Sequence, residues 1–193
     1  MKIGIDISQL AYKNTGVAGY LGNLIRNLIT SDSKNEYILL YSSFRQNFQR
    51  SLLNLEAIPS NVTVKQFKFP PSILNLLWNK LHIMPVESLI GDVDVFITSD
   101  WTEPPVKKAK KATILYDLIV YKYPEETHNK TKIDMFRLKI LPNIVNVQKR
   151  KLHWVKKESN IVFCISEATK NDAKSILGIN EEKLKVIYPG LNI

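Results

Sequence analysis

Three groups of residues stand where their type and spacing could do chemistry. The first is Thr15-Gly16-Val17-Ala18-Gly19, a glycine-bearing turn between the β-branched run Ile3, Ile5, Ile7 and a periodic apolar segment, Tyr20, Leu21, Leu24, Ile25, Leu28, Ile29. A strand, a tight turn and a helix start in that order offer free N–H groups and the positive end of a helix dipole to an anion such as a phosphate. Gly16, Gly19 and Gly22 lack the Gly-x-Gly-x-x-Gly spacing of a dinucleotide fingerprint. They read equally well as a loop cap at Gly16 and close helix packing at Gly19 and Gly22. The second group, Ser99-Asp100-Trp101 and Asp117, follows two apolar runs, 93–98 and 112–116; ligands of open parallel sheets bind beyond such strand ends. The third is Ser166 with Glu167, a helix N-cap and an acidic residue at its positive end. Asp6 reads as a brace for the loop after the first strand. His82, His128 and His153 have no metal-ligand spacing.

These residues need a scaffold, and the chain spells one. Runs at 3–7, 37–41, 62–67, 93–98, 112–116, 160–165 and 183–188 read as strands, alternating with helical stretches at 16–29, 45–55, 73–81 (capped by Ser72), 130–158 and 167–177. Pro142 interrupts the fourth helical stretch, and Gly178 stops the last. Strands separated by helices predict a mainly parallel sheet with helices on both faces, an α/β Rossmann-like fold in one domain over 1–193. The helical stretch at 73–81 is unusually apolar, fitting burial on the sheet or a contact with acceptor or membrane.

The chain has 193 residues, 45% of them hydrophobic, and a net charge of +9. Basic runs at Lys107–Lys111, Lys149–Lys151 and Lys156–Lys157 favour polyanions such as an anionic membrane surface or phosphorylated substrates; singly, each reads as a solvated face, and the first as the loop before a strand. The single cysteine, Cys164, lies in an apolar run, so it reads as a small buried hydrophobe and leaves no cysteine pair for a disulfide or metal. Met1 is not followed by a signal-type apolar region, and no apolar run approaches the roughly 20 residues that span a bilayer. The expectation is a cytoplasmic protein, peripheral at most to the inner membrane face.

Gly4-Ile5-Asp6 with Thr15 to Tyr20, Leu115-Tyr116-Asp117-Leu118 with Pro124-Glu125, and Ser166-Glu167-Ala168-Thr169-Lys170-Asn171-Asp172 with Ile187-Tyr188-Pro189-Gly190 together resemble the N-terminal half of family 4 (group 1) glycosyltransferases. The resemblance runs through essentially the whole chain. It implies the acceptor-binding half of a GT-B enzyme, whose C-terminal donor-binding domain would begin about where this chain ends. The implied function is transfer of a sugar, hexosyltransferase type with retention, from a nucleotide-sugar donor to a glycan or lipid-linked glycan in polysaccharide biosynthesis. This half alone would be inactive, since donor and acceptor are not brought together. The resemblance further implies Tyr116 and Asp117 at the reacting sugar, Gly16, Val17, Ala18 and Gly19 at the donor diphosphate, Ser99, Asp100, Trp101, Ser166 and Glu167 at the acceptor, and no metal or other cofactor. Tyr116 stands where many relatives carry histidine, and a phenol of ordinary pKa near 10 is a poor base at neutral pH. Gly19 stands where an arginine is frequent. A non-catalytic carbohydrate- or polyanion-binding module is the alternative; nothing matches a nucleic-acid recognition module.

Overall fold

The apolar runs at 3–7, 37–41 and 112–116 form strands covered on both sides, as a sheet with both faces packed requires, whereas the run at 62–67 alternates and is buried only in part. The structure is a computed structural model that describes residues 1–125 and 143–190. Its described strands are β1 (Lys2–Asp6), β2 (Glu36–Ser42), β3 (Val62–Phe67), β4 (Val95–Thr98), β5 (Lys110–Leu115), β6 (Ile161–Cys164) and β7 (Leu184–Val186). They make one sheet in the order β3-β2-β1-β4-β5-β6-β7, every neighbouring pair parallel. The helices are α1 (Gly16–Ser31), α2 (Pro71–Leu74), α3 (Glu87–Ile90), α4 (Ile119–Lys122), α5 (Ile144–Glu158) and α6 (Glu167–Ser175).

Side chains alternate across the sheet. On one face Ile5, Ile7, Tyr37, Leu39 and Tyr41 meet the stripe Leu21, Ile25 and Ile29 of α1. On the other, Ile38, Leu40 and Phe96 meet Leu74, Trp78, Val86 and Ile90. Further along, Leu115, Val162 and Cys164 pack with Leu152 and Val155 of α5 and Ala173 of α6. Gly4 is required at its place in β1, because a Cβ there would stand 2.7 Å from Phe96 Cδ2 and 2.9 Å from Ile90 Cδ1. Cys164 is fully buried, and burial pushes its thiol up to about 11.

Three local expectations are corrected. The helix read at 45–55 is only a 3-10 turn, Arg50–Leu53. Its N-terminal part is drawn onto β3 instead: Gln66 accepts from the Phe48 N–H at 2.9 Å and donates to Asn47 Oδ1 at 2.8 Å, and Asn54 ends the turn at φ 51°. The helix at 73–81 is a single α turn entered through Pro70 and Pro71, not capped by Ser72, and continues as a π turn, Asn75–Lys80. It closes with Leu81 N–H on Leu76 O at 2.9 Å, after which His82 and Met84 reverse the chain at φ 52° and 64°. Third, the basic run at 107–111 is more than a loop, since Lys110 and Lys111 open β5 and Lys111 is buried. The fourth and seventh strands are shorter than read, while Gly178, at φ 64°, stands after α6 as expected. His128, the helical reading over 130–141 and the break at Pro142 lie outside the described residues.

Candidate functional site at the strand ends

Because every strand runs the same way, all C-terminal ends share one edge, and the strand order reverses between β1 and β4. That switch point is where an open α/β sheet leaves a crevice. Beyond β1, Asp6 accepts from the Ser8 N–H at 2.9 Å and so braces the turn. Thr15 caps α1, accepting from Ala18 N–H on its side chain at 3.2 Å and from Gly19 N–H on its carbonyl at 3.0 Å. The N–H groups of Gly16 and Val17 therefore remain as the first-turn donors without a partner among the described residues. A Cβ at Gly16 or Gly19 would meet nothing within 4 Å, whereas at Gly22 it would stand 3.3 Å from Leu52 O. Close helix packing accounts for Gly22 and not for Gly19.

Beyond β4 and β5 the chain lines a cavity of about 180 Å³, whose walls include Val17, Asp100, Trp101, Tyr116, Asp117 and Lys151. Ser99 reaches it indirectly, its Oγ 3.1 Å from the Tyr116 hydroxyl. The Tyr116 ring meets Tyr20 of α1 edge to face at 5.6 Å, and its carbonyl accepts from Thr169 Oγ1 at 3.0 Å. Four elements are thus tied together at one residue. Ser166 caps α6 through the Thr169 N–H at 3.1 Å, and Asp117 accepts from the Ile119 N–H at 3.0 Å, capping its own loop. Gly16, Ala18, Gly19, Ser166 and Glu167 do not line the cavity. A smaller cavity of about 40 Å³ lies along Asp6, Gln9, Tyr12, Ser99 and Trp101. Trp101 Nε1 and Gln9 Oε1 are buried there without a partner among the described residues, one donor and one acceptor of the kind a polyol satisfies.

Burial dominates the electrostatics of this edge. It raises the Tyr116 phenol far above its ordinary value, against the lowering effect of the Ser99 hydrogen bond, so Tyr116 is a neutral donor at any physiological pH. Burial likewise raises Asp6 and Asp100 above the usual carboxylate range and lowers Lys151. Lys151 is only 2% exposed and has no hydrogen bond or ion pair among the described residues. Its neighbour Gln148 donates to Asp100 Oδ1 at 3.3 Å.

Beneath the cavity a polar network holds the loop that carries Ser99 to Trp101. Glu103 Oε2 accepts from Thr98 at 2.7 Å, and its Oε1 accepts from Thr113 at 3.2 Å and pairs with Lys111 Nζ at 3.1 Å. Lys111 also pairs with Glu158 at 2.9 Å, and Glu158 with His82 at 2.8 Å. Asn79 of the π turn accepts from Glu103 N–H at 3.0 Å and donates to Trp101 O at 2.9 Å. Sequence reading missed Gln148, Lys151, Glu103 and Lys111. One signal existed for Lys151: it stands four residues from both Val147 and Val155, on the apolar stripe of α5. Among the described residues no group of three or more His, Cys, Asp or Glu is disposed to hold a metal.

The fold and this edge define a Rossmann-like α/β protein with two cavities along the C-terminal strand edge of a parallel sheet. No protein-family profile matches the chain, and neither does any curated protein. Among solved structures it is similar to Anabaena HepE in complex with UDP, at 14% identity and a TM-score of 0.49, over 98% of this chain and 44% of that one. It is similar also to Phytolacca americana UGT2 complexed with UDP-2fluoro-glucose and pterostilbene, at 13% identity and a TM-score of 0.49, over 100% of this chain and 53% of that one. The chain spans about half the length of these two proteins.

Proposed function

We propose that this chain is the acceptor-binding half of a retaining, GT-B type glycosyltransferase that moves a sugar from a nucleotide-sugar donor to a glycan or lipid-linked glycan. The observation that carries the reading is that the first turn of α1, through Val17, and the ends of β4 and β5 line one cavity on the strand-end edge that also holds the switch point. In this reading the Trp101 ring offers a flat face to a sugar and its unpartnered N–H a donor to a hydroxyl. Asp117 holds an acceptor hydroxyl, and the free amides of Gly16 and Val17 face the donor diphosphate. Ser166 and Glu167 flank the acceptor from the α6 side. Tyr116, fixed as a neutral phenol, orients a sugar oxygen and takes no proton. The donor-binding domain is a separate C-terminal half, and no metal is invoked.

The test is sugar-nucleotide turnover by a protein in which this chain is followed by that second half. Gly16→Val is expected to lower kcat/KM at least tenfold, about 1.4 kcal/mol of transition-state stabilisation, by placing a branched side chain beside the two free amides. Absence of turnover in an intact two-domain protein would sink the enzyme reading. A second reading, a carbohydrate- or polyanion-binding module, draws on the lack of a usable base at position 116; saturable oligosaccharide binding without turnover would select it.

A further inference from the structure

α5 carries more charge than the strand-end cavity uses. Its residues divide by helical spacing into two sides. Gln148 and Lys151 face the strand-end cavity, whereas Asn146, Lys149, Arg150 and His153 line a groove of about 500 Å³ against the π turn. Lys80 closes the other wall, with Asn79 and Trp154 completing the lining. Among the described residues no carboxylate lines this groove. Lys156 and Lys157, both exposed, extend its positive charge toward the end of α5. The groove is rigid at its base: Trp154 Nε1 donates to Asn79 O at 2.9 Å, and the His82 ring stacks on Trp154 at 3.5 Å.

Beside these cations stand apolar side chains that the fold leaves uncovered. Leu76, Leu81 and Ile83 are 43%, 51% and 50% exposed. The π hydrogen bond from Leu81 N–H to Leu76 O stacks two of them one turn apart, next to Lys80. The same segment buries Leu74 and Trp78 beneath the sheet, so the apolar stretch at 73–81 has two apolar sides and only one is used by the core. Exposed branched side chains next to a cluster of cations are the combination that an anionic bilayer surface rewards, by partial burial of the first and attraction of the second. A single-stranded nucleic acid would need a free aromatic face. Trp154 offers none, since His82 covers one side and Lys157 stands 4.9 Å from its ring centre.

We propose that the groove between the π turn and α5 is a docking surface for anionic phospholipid, with Lys80, Lys149 and Arg150 on the headgroups and Leu76, Leu81 and Ile83 at the acyl boundary. Since α5 carries this groove on one side and the strand-end cavity on the other, the two are separated by about one helix diameter, roughly 10 Å. The proposal rests on the groove alone and stands whether or not the chain takes part in sugar transfer.

The experiment is co-sedimentation of the 193-residue chain with vesicles of phosphatidylglycerol and phosphatidylcholine in equal parts, and with phosphatidylcholine alone. The chain is expected to pellet with the anionic vesicles and to stay in solution with the neutral ones. High salt is expected to release it, as the screening length falls from about 10 Å at 0.1 M to about 3 Å at 1 M. The pair Lys149→Glu with Arg150→Glu is expected to lower partitioning at least about 25-fold, two charges at about fivefold each. Leu81→Ser with Ile83→Ser is expected to lower it severalfold at low salt. As a control of equal charge change, Arg26→Glu with Lys34→Glu lies on and beside α1, across the sheet, and is expected to leave most of the binding. Far-ultraviolet circular dichroism verifies that each variant is folded. Equal binding to neutral vesicles, full binding by the Lys149/Arg150 variant, or an equal loss in the α1-side control would each overturn the proposal.

Discussion

Beneath β2, β1 and the middle of β4 the sheet rests on Ile38, Leu40, Phe96, Trp78 and Val86, while on the same face the end of β4 and the neighbouring β5 present Thr98, Lys111 and Thr113 to the buried carboxylate of Glu103. The apolar half is held by area removed from water, which is indifferent to direction. The charged half is held by directed bonds, and it is the half under the candidate site. Glu103 and Asn79 together fix the course of the loop from Ser99 to Glu103, so the side chains at the strand ends are aimed by the polar half and merely supported by the apolar one.

Removing the carboxylate separates the two halves most sharply. Glu103→Ala leaves Lys111 buried with only partly buried Glu158 to pair with, and the expected loss is about 4 kcal/mol in urea unfolding. Replacing both partners, Glu103→Leu with Lys111→Met, is expected to recover most of that loss. If the single variant costs no more than a surface change, water already fills the network. Leu40→Ala, in the apolar half, is expected to cost about 3 kcal/mol without changing ligand binding at the strand ends, a contrast that calorimetric titration with an oligosaccharide can read. Tyr116→Phe deletes one buried hydrogen bond to Ser99 and is expected to cost about 1 kcal/mol.

The smallest effect concerns pH. Glu87, in the apolar half, has its carboxyl lowered: burial acts to raise it, but the N–H groups of Lys107, Lys108 and Ala109 outweigh that. Its stabilisation is therefore present above the ordinary carboxylate pKa and is lost as pH falls through the lowered value. Asp6 and Asp100, at the strand ends, are raised by burial; their contribution is present at low pH and is lost as pH rises through the raised values. Thermal melts across pH are expected to show Glu87→Gln flattening the acid limb, with the strand-end carboxylates opposing it on the other side.

The sheet was legible because Ile3, Ile5 and Ile7, or Tyr37 to Tyr41, can hardly be anything but covered strands, and because Asp100 and Asp117 announce where such strands stop. The cap of α6 at Ser166 was legible for the same local reason. What was not legible depended on partners distant in the chain. Glu103 looks like a loop residue until Thr113 and Lys111 come to it. The stretch at 45–55 has helical composition and yields to hydrogen bonds from Gln66. Lys151 was hidden by its neighbours, being the buried member of a basic run whose other two members face outward.

The lone thiol at the end of β6 has a practical consequence. With one sulfhydryl in the whole sequence, fully enclosed and far from its reactive form, an alkylating reagent can reach it only when the sheet parts around it. The rate at which it is labelled is thus a clock for how frequently that region opens, and slowing of the clock by an added compound would report binding without any knowledge of the reaction.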